Sequence, residues 1–277
     1  MTASEVKLFK WVGSKQAVID QILPHLQAEP ILRFVEPMCG SAVASLQLSA
    51  GGLPCVLGDR CKRLVNTLEV VRGDPSALIE QVRRMAVWYD AGGSNKKAVF
   101  LDWRAAMNLD EPEPIRAAAL FLLVNRTAFN GLYRENRHGE FNVAWGKKTS
   151  CAVDTIVQSI EFASPRLQNA MTAVSDFSAL CFPVPGDCWF FDPPYDAAFS
   201  GYGGSWHPEK DLLRLANFAR RVVSCGGRAF VCNNDTPRVR AAFPGSVFHA
   251  ITGSTCVSQA NKSRGSTTEL LIEVRLP

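Results

Sequence analysis

The sequence predicts an α/β fold, in which a doubly wound, Rossmann-like sheet carries an inserted helical domain. Three observations indicate it: a strand–turn–helix segment followed by a second strand near the start, a helix-rich middle, and a return of short apolar runs toward the end. With 277 residues, 47% of them hydrophobic, and a mean hydropathy of +0.01, the chain has enough apolar material for a large core. We therefore expect two lobes.

The first βαβ unit is predicted to end at Asp59. The apolar run ILRFVE is followed by the turn PMCGS, the helix-compatible stretch AVASLQLSA and a second apolar run. Ligands of such sheets bind beyond the carboxyl ends of the strands, where Glu36, Gly40 and Asp59 fall. Asp59 follows Gly40 by 19 residues, which is close to the spacing of a carboxylate that binds ribose hydroxyls. The unit predicts an adenosine-type ligand, although both carboxylates could instead cap helices.

Residues 71–164 are predicted to form a helical insertion. The stretches SALIEQVRRMAVWY and PIRAAALFLLVNRTAF are typical of helices, and polar loops containing AGGSN, EPEP and NRHGE separate them. Strand signals resume in MTAV, DCWFF, RAFVCN, FHAI and ELLIEV, and PEKDLLRLANFARRVV supplies an amphipathic crossover helix. We therefore assign residues 1–70 and 165–277 to one sheet domain.

The charge of the chain is mildly basic, with a net charge of +4 and an isoelectric point near 8.6. The excess is concentrated in the insertion, where Glu135 and Glu140 stand against six basic residues: Arg116, Arg126, Arg134, Arg137, Lys147 and Lys148. This pattern suits a polyanionic partner, and an ordinary solvated face would explain it equally well.

The nine cysteines include no C-x-x-C pair and have no histidine cluster nearby. We expect reduced, mostly buried thiols and no metal site. The start MTASEVKLFK lacks a signal-peptide pattern, and no stretch approaches 18 uninterrupted apolar residues. We therefore expect a cytoplasmic protein without a membrane partner.

Asp192-Pro193-Pro194-Tyr195 directly follows the apolar run CWFF. The lone pair of an adenine amino nitrogen is delocalised into the ring, so an enzyme must draw this nitrogen toward sp³ geometry. The Asp192 carboxylate and the Pro193 carbonyl could each accept one N–H bond, which aims the lone pair at a sulfonium methyl while Tyr195 stacks on the base. Two prolines stiffen the turn. The motif predicts methyl transfer to an amine, with a rigid strand-exit turn and a packed tyrosine as the alternative.

The chain resembles the Dam-like, D12-class DNA adenine-N6 methyltransferases of the α group. Nearly the whole chain takes part, and the most specific stretch is the DNA-contacting segment NRTAFNGLYRENRHGEFNVAWG. The other matching segments, in family order around it, are FKWVGSK, FVEPMCG, LGD, SDF, the D-P-P-Y turn and CNNDT. The resemblance implies S-adenosylmethionine as the cofactor and double-stranded DNA as the partner. It also implies a location at the nucleoid, or in the host cytoplasm if the protein is encoded by a phage.

The resemblance divides the site residues among three roles. The cofactor site would be lined by Trp11, Lys15, Glu36, Gly40, Asp59, Asp176, Phe177 and Asp192. Catalysis would fall to Asp192, Pro193 and Tyr195, without a covalent enzyme intermediate or a metal. The DNA would be contacted by Arg126, Phe129, Asn130, Leu132, Arg134 and Asn136.

Two of the DNA-contacting residues imply how a target is selected. Phe129 matches a position that wedges into the base stack when the adenine is flipped, and Arg134 matches one that reads a guanine edge. The recognition site is therefore expected to be GATC or another GA-containing sequence. We expect a monomer, or a dimer when bound to DNA.

Two positions depart from the family pattern. Ser41-Ala42 stands where a second glycine is usual, which bears on cofactor affinity, and Ala144 stands where proline is usual, which bears on sequence specificity. Two other functions stay open: methylation of cytosine N4 or a protein amide, and a DNA-binding relative with impaired catalysis. Asp192 favours adenine over the first, and the presence of Asp192 and Asp59 argues against the second.

Overall fold

A computed structural model of the chain describes residues 7–109, 113–195, 206–253 and 267–277. These residues form two compact units. The sheet unit contains Gly13–Arg60 and the described residues from Asn169 onward, and the helical unit contains Cys61–Gln168 together with the described residues up to Val12. The helical unit thus begins earlier than the predicted insertion at residue 71, and it includes an N-terminal segment that we assigned to the sheet domain.

The sheet unit is built on parallel strands. In chain order the strands are β1 (Arg33–Glu36), β2 (Cys55–Asp59), β3 (Ala170–Val174), β4 (Asp187–Phe191), β5 (Arg228–Asn234), β6 (Val247–Gly253) and β7 (Thr267–Glu273). They form a seven-stranded sheet in the order β3-β2-β1-β4-β5-β7-β6, and β1 to β5 are parallel. Every residue of β4 is buried, because this strand lies in the middle of the sheet. The predicted α/β fold is confirmed.

An antiparallel hairpin completes the sheet beyond β5. Strand β7 is antiparallel to both β5 and β6. The sequence predicted these strands but not their directions, because RAFVCN and ELLIEV have the same apolar character. In the observed register Glu269 lies opposite Asn234, so the start of β7 adjoins the carboxyl end of β5. The hairpin therefore adds a side chain of β7 to the edge where the parallel strands end.

Several helices begin at a proline that follows a capping residue. The helices in chain order are α1 (Ile19–Leu26), α2 (Val43–Leu48), α3 (Lys62–Gly73), α4 (Pro75–Ala91), α5 (Lys96–Asn108), α6 (Pro114–Thr127), α7 (Val153–Leu167), α8 (Pro208–Ser224) and α9 (Pro237–Ala242). The side chains of Asp74, Glu113 and Thr236 accept backbone hydrogen bonds in the first turns of α4, α6 and α9. Proline suits the first helical position, because its missing N–H would have no partner inside the helix.

Helix α6 forms the centre of the helical unit. The eight residues 118–125 are all buried, and the helix packs against α3, α4 and α5. A helix that is apolar around its whole circumference must be covered on all sides. Helix α3 also packs against α7, so α3 belongs to the helical unit although the predicted boundary at residue 70 placed most of it in the sheet domain.

All eight cysteines that the structure describes are free, and five of them are buried. Among the described residues no helix is long and apolar enough to cross a membrane. Three sequence predictions concern segments that lie at least partly outside the described residues: the start MTASEVKLFK, the EPEP loop, and the thiol state of Cys256.

Candidate active site

Polar side chains meet at the edge of the sheet unit where the parallel strands end. Glu36 is the last residue of β1, Asp59 is the last residue of β2, and Asp192 directly follows β4. Neighbouring parallel strands end at the same edge, so the fold brings these three carboxylates together. Five further residues discussed below, Lys15, Gly40, Asp176, Tyr195 and Glu269, also belong to this unit.

Glu36 is buried at this edge and is bound to helix α2. Its Oε2 accepts hydrogen bonds from the Ser45 backbone N–H at 3.1 Å and from the Ser45 hydroxyl at 2.5 Å. Burial raises the pKa of Glu36 to about 8, against the opposing effect of the Ser45 hydrogen bonds. Glu36 is therefore largely uncharged at neutral pH.

The turn after β1 is tied to the end of β2. The Gly40 N–H donates to Oδ2 of Asp59 at 3.0 Å, so the predicted ribose-binding carboxylate also holds the glycine turn. Ala42 then takes a left-handed conformation, with φ 53° and ψ 32°, and is fully buried. Glycine adopts this conformation without strain, whereas alanine does not. The departure at Ser41-Ala42 thus falls on a backbone position that favours glycine.

Lys15 pairs with the first residue of the D-P-P-Y turn. Its Nζ lies 2.8 Å from Oδ1 of Asp192, and it donates to the Gly13 carbonyl at 2.7 Å. Burial raises the pKa of Asp192 to about 6, although Lys15 opposes the shift. Burial alone would lower the pKa of Lys15, but Asp192 and Glu269 raise it overall. At neutral pH the two groups form an ion pair, and Asp192 can act as a hydrogen-bond acceptor.

Glu269 is a member of this cluster that sequence reasoning missed. Its Oε2 accepts a hydrogen bond from the Tyr195 hydroxyl at 2.7 Å and lies 3.8 Å from Nζ of Lys15. The same ammonium is 4.9 Å from the centre of the Tyr195 ring. Burial, together with the nearby carboxylates, raises the pKa of Tyr195 well above its ordinary value, so the phenol stays protonated. The available signal was a carboxylate at the head of the apolar run ELLI.

Asp176 follows β3 and is bound mainly by arginines. Arg214 of α8 donates to both of its carboxylate oxygens at 2.8 and 3.0 Å, and Arg60 donates to one of them at 2.5 Å. Burial would raise the pKa of Asp176, but the hydrogen bonds from Arg214 and Ser178 hold it far below its ordinary value. Phe177 is buried among Phe191, Trp206 and Phe218. The predicted cofactor role of Asp176 and Phe177 stays a prediction, and both residues also support the sheet unit.

Phe129, the residue predicted to wedge into the base stack, lies on a turn of the helical unit that is held by hydrogen bonds. Phe129 is 53% exposed, and the next residue, Asn130, is exposed with a left-handed φ of 54°. The Asn125 side chain accepts from the Lys10 N–H at 3.0 Å and donates to the carbonyls of Lys10 at 2.9 Å and Gly131 at 3.2 Å. A large aromatic ring is thus held in solvent by a well-bonded backbone.

The other predicted DNA-contacting residues differ in their surroundings. Arg134 is exposed, and its Nε donates to Oδ1 of Asn142 at 2.7 Å. Asn136 shapes its own loop: its Oδ1 accepts from the N–H groups of His138 at 2.9 Å and Glu140 at 3.1 Å. Arg126, in the last turn of α6, and Leu132 are half-buried. Arg134 and Phe129 are therefore the more accessible members of the set.

Trp11 lies in the helical unit, unlike the other predicted cofactor residues. Its ring centre is 5.0 Å from that of Tyr133 and 6.0 Å from that of Phe9. A sequence motif that reads continuously from Phe9 to Lys15 is thus divided between the two units, with the division after Val12.

Comparison with known proteins gives one consistent result. Residues 11–258 match the family model of the D12 class N6 adenine-specific DNA methyltransferases. The chain is 28% identical to a DNA adenine methylase of Vibrio cholerae over 269 residues, which cover 95% of this chain and 93% of that protein. It is also 28% identical to the Retron Ec67 DNA adenine methylase of Escherichia coli, over 95% of this chain and 90% of the relative. A type II methyltransferase of Lactococcus lactis, M1.LlaDCHI, is 28% identical over 95% of this chain and 93% of its own length.

Proposed function

The chain belongs to the D12 class of N6 adenine-specific DNA methyltransferases, and we propose that it transfers the methyl group of S-adenosylmethionine to N6 of an adenine flipped out of double-stranded DNA. The observation that carries the proposal is the half-buried Asp192 carboxylate directly after β4, paired with Lys15 at 2.8 Å. Membership in an adenine-specific class argues against cytosine N4 and protein amides as targets.

The D-P-P-Y turn accounts for activation of the amine. Asp192 and the Pro193 carbonyl each accept one N–H of the adenine amino group, which directs its lone pair at the methyl group. The ammonium of Lys15 favours the ionised form of Asp192, so that the acceptor is charged at neutral pH. Asp192 would take up the proton that the amine loses when it receives the methyl group and the thioether leaves. The two prolines hold both acceptors in place.

The residues at the sheet edge fit S-adenosylmethionine, which supplies a methyl group activated on a sulfonium. In its described contacts the Lys15 ammonium pairs with two carboxylates, those of Asp192 and Glu269. Two negative charges beside one positive charge favour the binding of a further cation. Asp59 would bind the ribose hydroxyls beside the Gly40 turn. The remaining proposed cofactor contacts are Trp11, Lys15, Glu36, Asp176 and Phe177.

The loop of the helical unit supplies residues suited to DNA. We propose that Phe129 wedges into the base stack, which costs a few kcal/mol of unstacking and is compensated by binding the extruded base. Arg134 would read the guanine that precedes the adenine, as in GATC. The exposure of both side chains supports these roles.

Long-read sequencing that detects N6-methyladenine, on DNA from cells expressing the protein, tests the reaction and the site together. We expect methylated adenines after guanine in one short motif. Asp192→Ala should abolish the signal while purified protein still binds DNA, and Asp20→Asn, an exposed carboxylate of the same unit, should leave it intact. Near-normal methylation by Asp192→Ala would overturn the role of the turn. If the wild-type protein binds DNA but methylates no adenine, the chain is instead a DNA-binding relative with impaired catalysis.

The reading of guanine by Arg134 is tested on oligonucleotides that vary one base at a time. A bidentate arginine–guanine contact is worth about 1–3 kcal/mol of discrimination. Arg134→Ala should therefore relax the preference for guanine, whereas Arg137→Ala, an exposed arginine of the same loop, should keep it. If Arg134→Ala lowers the methylation of all oligonucleotides alike, Arg134 contacts phosphate and does not read the base.

A further inference from the structure

Glu269 is a charged side chain at the proposed active site for which the methyl-transfer chemistry has no direct use. It lies on β7, opposite Asn234 of β5 and Ile251 of β6. Its carboxylate contacts two groups that the chemistry does use: the Tyr195 hydroxyl at 2.7 Å and the Lys15 ammonium at 3.8 Å. A half-buried carboxylate with these two contacts can influence the position of both Tyr195 and Lys15.

We propose that Glu269 is a positioning residue for methyl transfer, which orients the Tyr195 ring and provides Lys15 with a second anionic partner besides Asp192. The proposal rests on the function proposed above. Glu269 itself touches neither the methyl group nor the adenine amine in this scheme.

The first effect concerns the tyrosine ring. The prolines stiffen the backbone before Tyr195, but a tyrosine side chain still turns about its own bonds. Glu269 fixes the hydroxyl end of the ring, and the Lys15 ammonium lies 4.9 Å from the ring centre. A ring held at these two points is oriented before the base arrives, so stacking requires less ordering.

The second effect concerns the acceptor on Asp192. Lys15 occupies Oδ1 of Asp192 at 2.8 Å and thereby competes with an incoming amine for that carboxylate. Glu269 lies 1 Å farther from the same ammonium, at 3.8 Å. A small movement of Nζ toward Glu269 releases Asp192 for the amine and leaves the buried ammonium paired. Without Glu269 the same movement would leave the buried Lys15 ammonium without a nearby carboxylate.

Kinetics of purified full-length variants test the proposal. Glu269→Ala removes both contacts and should lower kcat about tenfold to a hundredfold, the range for misplacement of reacting groups, whereas the loss of its charge should raise KM for the cofactor only as far as Glu269→Gln does. Glu269→Gln keeps an oxygen that can accept the phenol proton but removes the charge, so it should recover part of kcat. Glu273→Gln, on the same strand but bonded to His249 and Arg275, is the control and should retain full activity.

A double-mutant cycle distinguishes positioning from a structural role. If Glu269 acts partly through the phenol, Glu269→Ala and Tyr195→Phe combined should lower kcat by clearly less than the product of their separate effects. Fluorescence of 2-aminopurine in place of the target adenine should report less ordered stacking in Glu269→Ala than in Glu269→Gln. Thermal unfolding shows whether either variant is merely destabilised.

Multiplicative effects in the cycle, or activity losses that simply follow the loss of thermal stability, would overturn the proposal. So would near-normal kcat in Glu269→Ala. These outcomes leave the proposed function standing, because wild-type enzyme would still methylate adenine and Asp192→Ala would still be inactive. Absence of wild-type methylation would instead refute the function itself.

Discussion

Replacing Ala42 with glycine should remove a local strain beside the proposed cofactor site. Ala42 has φ 53° and ψ 32° at the start of α2, a conformation that costs an L-residue roughly 1–2 kcal/mol. Two losses oppose the gain. Glycine gives the unfolded chain extra entropy, about 0.4–1 kcal/mol, and the lost methyl group, fully buried here, contributes about 0.8 kcal/mol. The net change in the free energy of unfolding is therefore expected to be close to zero.

Ala44→Gly provides the matched control for this prediction. Ala44 is 1% exposed, lies two residues later inside α2, and has ordinary helical backbone geometry. Its replacement incurs the same entropy and methyl losses without relieving strain, so we expect a destabilisation of about 1–2 kcal/mol. The difference between the two variants isolates the cost of the left-handed conformation.

Urea denaturation followed by tryptophan fluorescence measures both variants against wild type. The free energies of unfolding should differ by about 1–2 kcal/mol in favour of Ala42→Gly, with equal m-values. Equal destabilisation of the two variants would refute the strain argument. Calorimetry adds a second readout: Ala42→Gly should bind S-adenosylmethionine at least as tightly as wild type, because glycine is the residue that the family pattern has here.

Three other predictions concern carboxylates of the sheet unit. The raised pKa of Glu36 makes its contribution to stability largest below its ordinary pKa near 4.5 and lost as pH rises through about 8. Glu36→Gln should therefore remove a decline on the order of 4 kcal/mol across that range, measured as unfolding free energies at several pH values. Asp187 is buried and accepts from Arg33 at 2.7 and 2.9 Å. Arg33→Ala should lower the unfolding free energy by about 3–5 kcal/mol, and a loss below 1 kcal/mol in denaturation would contradict this. Asp59→Ala should weaken S-adenosylmethionine binding by about 1.5–3 kcal/mol in calorimetry, and unchanged affinity would mean that Asp59 only holds the Gly40 turn.

The strands and the order of the site motifs could be predicted from the sequence. Buried parallel strands must be apolar throughout, and DCWFF, predicted as a strand, is β4 residue for residue. Position at the strand ends grouped Glu36 with Asp59 in advance, and the family resemblance added Asp192 to them. The boundary near residue 60 could not be predicted, because α3 has a helical pattern that fits either unit.

Contacts between distant segments could not be predicted in the same way. Asp176 pairs with Arg214, 38 residues later, and nothing in the local pattern of either residue indicates the partner. Glu269 escaped notice because its place depends on the direction and register of β7. A shift of one residue would turn the Glu269 side chain to the opposite face of the sheet. The sequence therefore predicted the residues at the strand ends and missed the one that the hairpin adds.

The charges at the sheet edge explain why the protonated form of Glu36 is favoured there. Asp192 raises the pKa of Glu36, and Glu269 raises that of Asp192, so each carboxylate makes the next harder to ionise. Lys15 compensates one of them, and the proton on Glu36 removes another at neutral pH. Among Glu36, Asp192 and Glu269, about one negative charge then remains uncompensated, which suits the sulfonium of the proposed donor and does not suit the neutral thioether left after methyl transfer. On this reasoning the same set of charges favours binding of the donor and release of the product.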